Sequence, residues 1–367
     1  MVVLPLSPVM RTRIMPQPPL LLFPTHYLGN LVLGLPWVLR VLERHNEAVA
    51  VFDASFRPLL SMLPEADSRA LYYPRKELAT DKGFTHRLRH YLGFLGELRK
   101  YKGHCLIDME GERFSGAIAR FSGCRRRIGP LAKRARWFYS DVLDLDYLAH
   151  RYNAFGEIIG DYGAGEPPPS ALDFKVAPEL ADRMRVLLDG HRVNRPLAVI
   201  HPGASVRYKL WPREHFARLV RNLYDAGLQV AWIGAGRFDA DVIAGIEREL
   251  ENRQLRDSPA IDLCNRLSLP ELVALFRQSR LFIGCDSGPM HLAAAAGLPV
   301  LALFGPSREA IWAPLGEQST VLRGELPCAD DCDAWHCRND YHCLRSLTPD
   351  MVLARIAALS ETGAAHS

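Results

Sequence analysis

Residues 285–292 read CDSGPMHL and place Asp286, Ser287, Gly288 and His291 within six positions. The apolar run LFIG before them reads as a strand that ends at the turn. Pro289 is the favoured first residue of a helix. Free backbone N–H groups and the helix dipole at such a start attract an anion. Ser287 can cap the helix or donate to a phosphate. Gly288 lets a ligand approach the backbone closely. Asp286 would repel a phosphate, so it is expected to face a ribose hydroxyl, a sugar or a backbone N–H. His291 falls in the first helical turn. A well-made strand–helix turn with a satisfied acid would show the same residues.

A second stretch has the same architecture. HPGASVRYKLWPREHFARLV (201–220) runs from a strand end through a Gly-Ala-Ser loop to a basic residue, then opens a helix at Trp-Pro. Ser205 and Lys209 suit a diphosphate, with Lys209 as its point charge. Arg207 reads as solvent-facing. A third strand end, WIGAGRFDAD, supplies a glycine loop. No third glycine follows at the dinucleotide spacing, so it is a weak redox-cofactor signal.

These stretches need a scaffold, and the chain supplies a repeating one. LLLF reads as a strand, THYLGN as a loop and LVLGLPWVLRVLERH as a helix. AVAVFD (48–53) is a strand, GFTHRLRHYLGFLGELRKY a helix, GHCLIDM a strand ending at Asp108, and GERFSGAIARFSG a helix. The triple proline 167–169 reads as a linker. PLAVIHPGAS, QVAWIGAG, PAIDLC, LFIGCDSG and VLALFGPS then alternate as strands with four helices, one of them capped at LSLPELVALFRQS. Apolar strands alternating with helices mean parallel sheets covered on both faces. The fold class is therefore α/β, with two doubly wound Rossmann-like domains, 1–165 and 166–367. Ligands bind such folds beyond the carboxyl ends of the strands, and a cleft between two of them is the natural reaction site. Residues 1–18, rich in Pro and Arg, read as an extension, with Met15 a possible start.

Composition narrows the class. A chain of 367 residues with 48% hydrophobic and 23% charged content is enzyme-like. Its net charge of +4 gives no reason to expect nucleic acid. The stretch from Arg13 to Arg40 carries no charge and is long enough to span a bilayer, but five prolines and the His-Tyr-Leu-Gly-Asn interruption argue against it. RFSGCRRRIGPLAKRAR (120–136) is basic without an acid. It reads either as a solvated loop or as a contact for anionic lipid headgroups or a phosphorylated substrate. Cys105, Cys124, Cys264 and Cys285 stand singly in or beside apolar segments and suggest a reducing cytoplasm. Cys328, Cys332, Cys337 and Cys343 cluster near the C-terminus, with gaps that fit no common paired zinc spacing. Free thiols or a structural zinc or iron site are both open, and disulfides are least expected.

With these residues in hand, HPGAS, K-LWP-EHF, the GAG loop and CDSGPMHLAAAAGLPVLALFGPS together resemble family 9 glycosyltransferases, the lipopolysaccharide core heptosyltransferases. LGN-LVLGLP-VLRVLE is similar to the family's LGD-VVLTLP segment. The resemblance runs from about Leu20 to about Leu359. It implies a GT-B fold, the two domains facing across a cleft, with the last helix able to pack back across it. It also implies transfer of a heptose from ADP-heptose to a lipid-linked sugar, with inversion and no required metal. The partners it implies are a nucleotide-sugar donor, a lipid-linked oligosaccharide acceptor and an anionic membrane surface, at the cytoplasmic face of the inner membrane. Lys209 and Ser205 would hold the diphosphate, with Asp286, Ser287, Gly288 and His291 lining the donor site. Asp239 is a substitute for the family's ribose-binding acid.

The departure is Asn30, where members place an Asp as the general base. An amide cannot accept a proton at useful pH. His26, Asp53 or Asp108 could be the base instead, and His26 has the best-placed ordinary pKa. The departing phosphate could take the proton, or the chain could bind without catalysing, as a sugar-nucleotide-binding partner in cell-envelope assembly. A nucleotide-sugar epimerase of the same two-domain build is a third class.

Overall fold

The computed structural model describes residues 17–80, 83–131, 135–252, 260–325 and 336–364. The strands read from apolar runs are the central ones. β1 (Pro19–Phe23), β2 (Val49–Asp53), β4 (Cys105–Asp108), β7 (Leu197–His201), β10 (Leu281–Cys285) and β11 (Val300–Leu303) are buried at every residue. A strand covered on both faces must be apolar throughout, which is why these segments show continuous rather than alternating hydrophobicity.

Two six-stranded sheets result, ordered β3-β2-β1-β4-β5-β6 and β12-β11-β10-β7-β8-β9. The remaining strands are β3 (Ala70–Tyr73), β5 (Arg127–Pro130), β6 (Asp141–Leu143), β8 (Gln229–Trp232), β9 (Ala260–Asp262) and β12 (Ser319–Leu322). Every pairing among the described residues is parallel. Each sheet reverses its winding between two central strands, β1 and β4 in the first and β7 and β10 in the second. The crevice at such a reversal is where doubly wound sheets bind ligands. The α/β architecture read from the sequence is the one found.

Helices of eight residues or more are numbered in chain order. They are α1 (Leu28–Arg44), α2 (Phe84–Leu98), α3 (Arg113–Phe121), α4 (Arg151–Ile159), α5 (Pro178–Gly190), α6 (Arg213–Asp225), α7 (Gly236–Asn252), α8 (Leu269–Arg277), α9 (Gly288–Ala295) and α10 (Pro349–Ala364). None among the described residues is long and apolar enough to cross a membrane. Ser268 and Glu271 form the capping box that starts α8.

The two halves are joined by packing. α1 lies along α9, and one apolar cluster runs from Phe23 and Leu35 through to Met290 and Phe304. Gly288 serves this contact: a Cβ there would stand 2.8 Å from Leu28 Cβ. The glycine read as leaving room for a ligand leaves room for α1.

Three local expectations change. THYLGN is not wholly loop, because α1 begins at Leu28 and places Asn30 in its first turn. The basic segment is not a loop either. It contains β5, and Arg127 turns inward, donating through Nε to the Phe138 carbonyl (2.8 Å) and through a terminal nitrogen to that of Cys124 (2.6 Å). Lys133 and Arg134 lie outside the described residues. The chain after the triple proline is packed down: Leu172 and Phe174 are buried, and the Leu172 N–H donates to the Ala295 carbonyl (2.8 Å). The last helix, read as able to pack back across the cleft, has among the described residues contacts with α6 of its own half, through Val352 and an Arg218–Asp350 ion pair of 2.8 Å.

Candidate functional site

A cavity of about 770 Å³ opens between the strand ends of the two sheets. His26, Asn30, Ser205, Lys209, Asp239, Asp286, Ser287, Gly288 and His291 all line it. Residues predicted from segments more than 250 positions apart thus line one cavity, because the β1 end and the β7 and β10 ends face each other.

The β10 end carries Asp286, which is buried and receives the Lys209 ammonium at 2.6 Å. Lys209 sits on a single 3₁₀ turn, Arg207–Lys209, after the β7 loop. Asp286 was expected to meet a ribose, a sugar or a backbone N–H, and its partner here is that lysine. Arg207 is exposed and its guanidinium lies 5.7 Å from the Phe238 ring.

Ser287 occupies the N-cap position of α9 without capping it. Its hydroxyl is bonded to His201 Nδ1 at 3.0 Å, and His201 Nε2 meets Asp239 Oδ2 at 3.2 Å. The Ala235 N–H donates to the same carboxylate oxygen at 2.9 Å. Burial pushes the Asp239 carboxyl up, but His201 and that N–H outweigh it and hold the group below the usual carboxylate range. Gly203 makes room for this acid, since a Cβ there would overlap Asp239 Oδ1 at 2.0 Å.

His201 is a site residue that the sequence reading passed over. It ends a fully buried strand, and a histidine closing such a strand at a winding reversal is the signal that could have found it. Arg151, at the start of α4, and Trp312 are two more. Ile233, Leu263, Leu267, Leu269 and Leu272 make an apolar end to the cavity.

His291 is 3% exposed, and its Nδ1 has no hydrogen-bond partner among the described residues. Burial lowers its pKa to about 4, the nearby Asp286 opposing and His150 and Lys209 assisting. The imidazole is therefore neutral at pH 7.

The three side-chain candidates for a base separate cleanly. Asp53 accepts from Ser55 (N–H at 2.9 Å, hydroxyl at 2.7 Å) and is paired with Arg75, which also donates to the Pro24 carbonyl at 2.6 Å. Asp108 is fully buried and accepts from Tyr139 Oη (2.7 Å) and from the Glu110 and Gly111 N–H groups (3.0 and 3.2 Å). Burial pushes its carboxyl up to about 6 despite those bonds. Neither lines the cavity; both brace the strand ends. His26 does line it, its ring centroid 3.8 Å from that of Tyr27 and tilted 38° to it. Burial, with the Arg75 charge, lowers its pKa below 6.5, Asp53 and Glu112 opposing.

Of the four C-terminal cysteines, Cys328 and Cys332 lie outside the described residues. Cys343 is buried and Cys337 Sγ accepts the Tyr341 N–H at 3.3 Å, and the described residues contain no group of three or more His, Cys, Asp or Glu side chains placed to hold a metal.

A family model for glycosyltransferase family 9 (heptosyltransferase) matches residues 92–342. The chain is 26% identical over 354 residues to lipopolysaccharide heptosyltransferase 2 of Escherichia coli strain K12, covering 90% of this chain and 97% of that one. It is 33% identical over 299 residues to lipopolysaccharide heptosyltransferase 3 of Escherichia coli, covering 78% and 83%. The solved structure of the Escherichia coli ADP-heptose lipopolysaccharide heptosyltransferase II superposes with a TM-score of 0.72 at 22% identity, over 93% of this chain and 98% of that one. The chain belongs to glycosyltransferase family 9 and is a glycosyltransferase with the GT-B fold.

The buried neutral histidine sets a pH signature. Below its ordinary value of 6.5 the unfolded chain protonates His291, while the folded chain resists until about 4. Stability from this group is thus lost as pH falls through that window, by about 3 kcal/mol in total. Urea unfolding of wild type and His291→Asn at pH 7 and pH 4 should show the variant gaining on wild type by that order. A constant difference would place His291 in contact with solvent.

Proposed function

We propose that this glycosyltransferase moves a heptose from ADP-heptose to a lipopolysaccharide core acceptor, with inversion at the anomeric carbon. The observation that carries the reading is one cavity shared by two kinds of wall. On the β7/β10 side lie a lysine and a helix start suited to a diphosphate; on the β1 side lie a neutral histidine and an amide. The named relatives support the same donor and acceptor.

In this reading the adenine lies against Ile233 and the leucines of the apolar end. The diphosphate meets Lys209, Ser205 and the free N–H groups at the start of α9. Asp239 orients His201 through Oδ2, which also accepts the Ala235 N–H, and offers its other oxygen, Oδ1, to a ribose hydroxyl. The acceptor hydroxyl oxygen bonds to the anomeric carbon as the bond from that carbon to the phosphate oxygen breaks. ADP leaves with the electron pair. The hydroxyl proton passes to His26, whose lowered pKa keeps it in the accepting form at pH 7, or to the departing phosphate. Asn30 positions the acceptor by hydrogen bonding. A catalytically impaired binder is disfavoured by the family assignment. For Cys328, Cys332, Cys337 and Cys343 the sequence leaves free thiols and a structural zinc or iron as alternatives, and metal analysis of the purified chain decides between them.

The protein is proposed to act as a peripheral protein at the cytoplasmic face of the inner membrane. Arg120, Arg125, Arg126 and Arg136 are exposed, as are Phe121 at 46% and Trp137 at 56%. Basic side chains beside exposed aromatic rings suit an anionic lipid interface.

Four outcomes are expected. Lys209→Ala should weaken ADP-heptose binding in calorimetry tenfold or more, since a charge-assisted contact contributes about 1.5–3 kcal/mol; unchanged affinity removes Lys209 from the site. His26→Ala should lower transfer about 100-fold or more with donor binding intact if His26 is the base, and wild-type transfer should then decline below pH 6.5. A small effect assigns the proton to the phosphate. Asn30→Asp tests the loop: lower transfer means chemistry built around the amide, higher transfer a weakened family member, and no turnover by either form a binding protein. Finally, vesicle binding should require anionic lipid and fall as salt rises; equal binding to neutral vesicles would sink the membrane assignment.

A further inference from the structure

Lys209 carries the donor side of the cavity, yet the turn that holds it is slight. Arg207–Lys209 is a single 3₁₀ turn with no side-chain cap and no buried residue. Two backbone bonds close it, from the Lys209 N–H to the Val206 carbonyl (3.2 Å) and from the Leu210 N–H to that of Arg207 (3.1 Å). The ammonium is seated on Asp286. A diphosphate that draws Lys209 to itself competes for that seat, so the turn needs a second support.

The support comes from the chain just before α10. The Tyr208 ring lies against the Tyr341 ring, with 16° between their planes and 5.9 Å between centroids, the geometry of an offset stack. Trp211, two residues past Lys209, is buried and donates through Nε1 to the Leu347 carbonyl (2.8 Å). Two aromatic side chains flanking Lys209 thus rest on one stretch, 341–347. That stretch is itself fixed. Cys343, Leu344 and Leu347 are buried, and the Cys343 carbonyl accepts the Gly324 N–H beyond β12 (3.0 Å). Gly305 leaves room for Leu344: a Cβ there would stand 2.6 Å from Leu344 Cβ.

Tyr341 is held against its backbone preference. Its φ is +54° and that of Asp340 +46°, so two successive residues with side chains occupy the left-handed region, which is costly for a bulky residue. Cys337 Sγ accepts the Tyr341 N–H (3.3 Å), the Tyr341 carbonyl accepts from the Leu344 and Arg345 N–H groups (2.9 and 3.0 Å), and Arg345 pairs with Asp340 (3.2 Å). Such strain persists where the surroundings over-determine it, and it gathers at working sites. A glycine at 341 would relieve it; what a glycine lacks is the ring on Tyr208.

We propose that Tyr341 is a positioning residue for the donor: its ring fixes Tyr208 and, through Tyr208, the place where the Lys209 ammonium meets the diphosphate. This rests on the transferase reading above and adds to it that the cysteine-bearing segment before α10 sets donor affinity.

The test is calorimetry of ADP with the full chain. Tyr341→Gly should weaken ADP binding about threefold to tenfold, the range an aromatic pair contributes. Tyr341→Phe, which keeps the ring, should bind ADP as wild type does. Tyr208→Leu removes the other ring without touching the strained segment and should reproduce the loss. In a Lys209→Ala background Tyr341→Gly should add nothing, because both changes act on one contact, whereas a general loosening of the fold would add its full effect. Wild-type affinity in Tyr208→Leu overturns the assignment, as does a loss in Tyr341→Phe equal to that in Tyr341→Gly. Losses that add in the double variant overturn it too. A wild-type chain that binds no ADP overturns both this assignment and the transferase reading. One that binds ADP through Lys209 while Tyr341→Gly behaves as wild type overturns this assignment alone.

Discussion

The halves of this enzyme meet at a point where neither backbone has room for an extra carbon. Gly288 abuts Leu28 and Gly29 abuts His291, with a hypothetical Cβ at 2.8 and 3.0 Å from its neighbour. Because two helix starts approach this closely, the winding reversals of both sheets face one cavity. The distances that matter to a transfer reaction are then set by packing, which in close-packed protein interiors tolerates little adjustment. A bulky side chain at either glycine would not only destabilise the fold; it would spread the donor wall from the acceptor wall.

The electrostatics of the cavity follow from its burial. Lys209 is matched by Asp286, and Asp239 is held by His201 and the Ala235 N–H. Its histidines at positions 26 and 291 are biased towards the neutral form. Neutral imidazoles avoid adding positive charge to a cavity that already holds Lys209 and Arg151, and they keep one lone pair each for proton transfer or hydroxyl recognition. The acids at the first sheet's strand ends, Asp53 and Asp108, spend their lone pairs on backbone and side-chain donors and so serve as braces.

Much of this was legible in the sequence because it rests on buried parallel strands. LLLF, AVAVFD, CLID, LAVIH and LFIGC announce themselves as apolar runs, and the segments after three of them, LLLF, LAVIH and LFIGC, carry the site residues. What escaped has physical reasons. β6 and β12 are edge strands, partly exposed at every residue, so they show no apolar run. α1 starts at Leu28 with Tyr27 as an N-cap that makes no capping bond, so no polar signal marks the start. His201 finds Asp239 and Ser287 only through tertiary pairing, 38 and 86 residues away in the chain. Arg151 shows itself only once α4 and the cavity it lines are in view.

The His201 contacts have a consequence for what Ser287 can say to a ligand. Asp239, kept anionic, can only accept, so the proton of a neutral His201 ring is assigned to Nε2. Nδ1 is then an acceptor, and the Ser287 hydroxyl must turn its hydrogen inward to meet it. What Ser287 presents to the cavity is a pair of lone pairs. To an uncharged visitor it greets hydroxyl groups and turns away bare oxygens. While that bond holds, the hydroxyl's hydrogen is not free for a phosphate, and an anion at the start of α9 must find its donors in the backbone N–H groups instead.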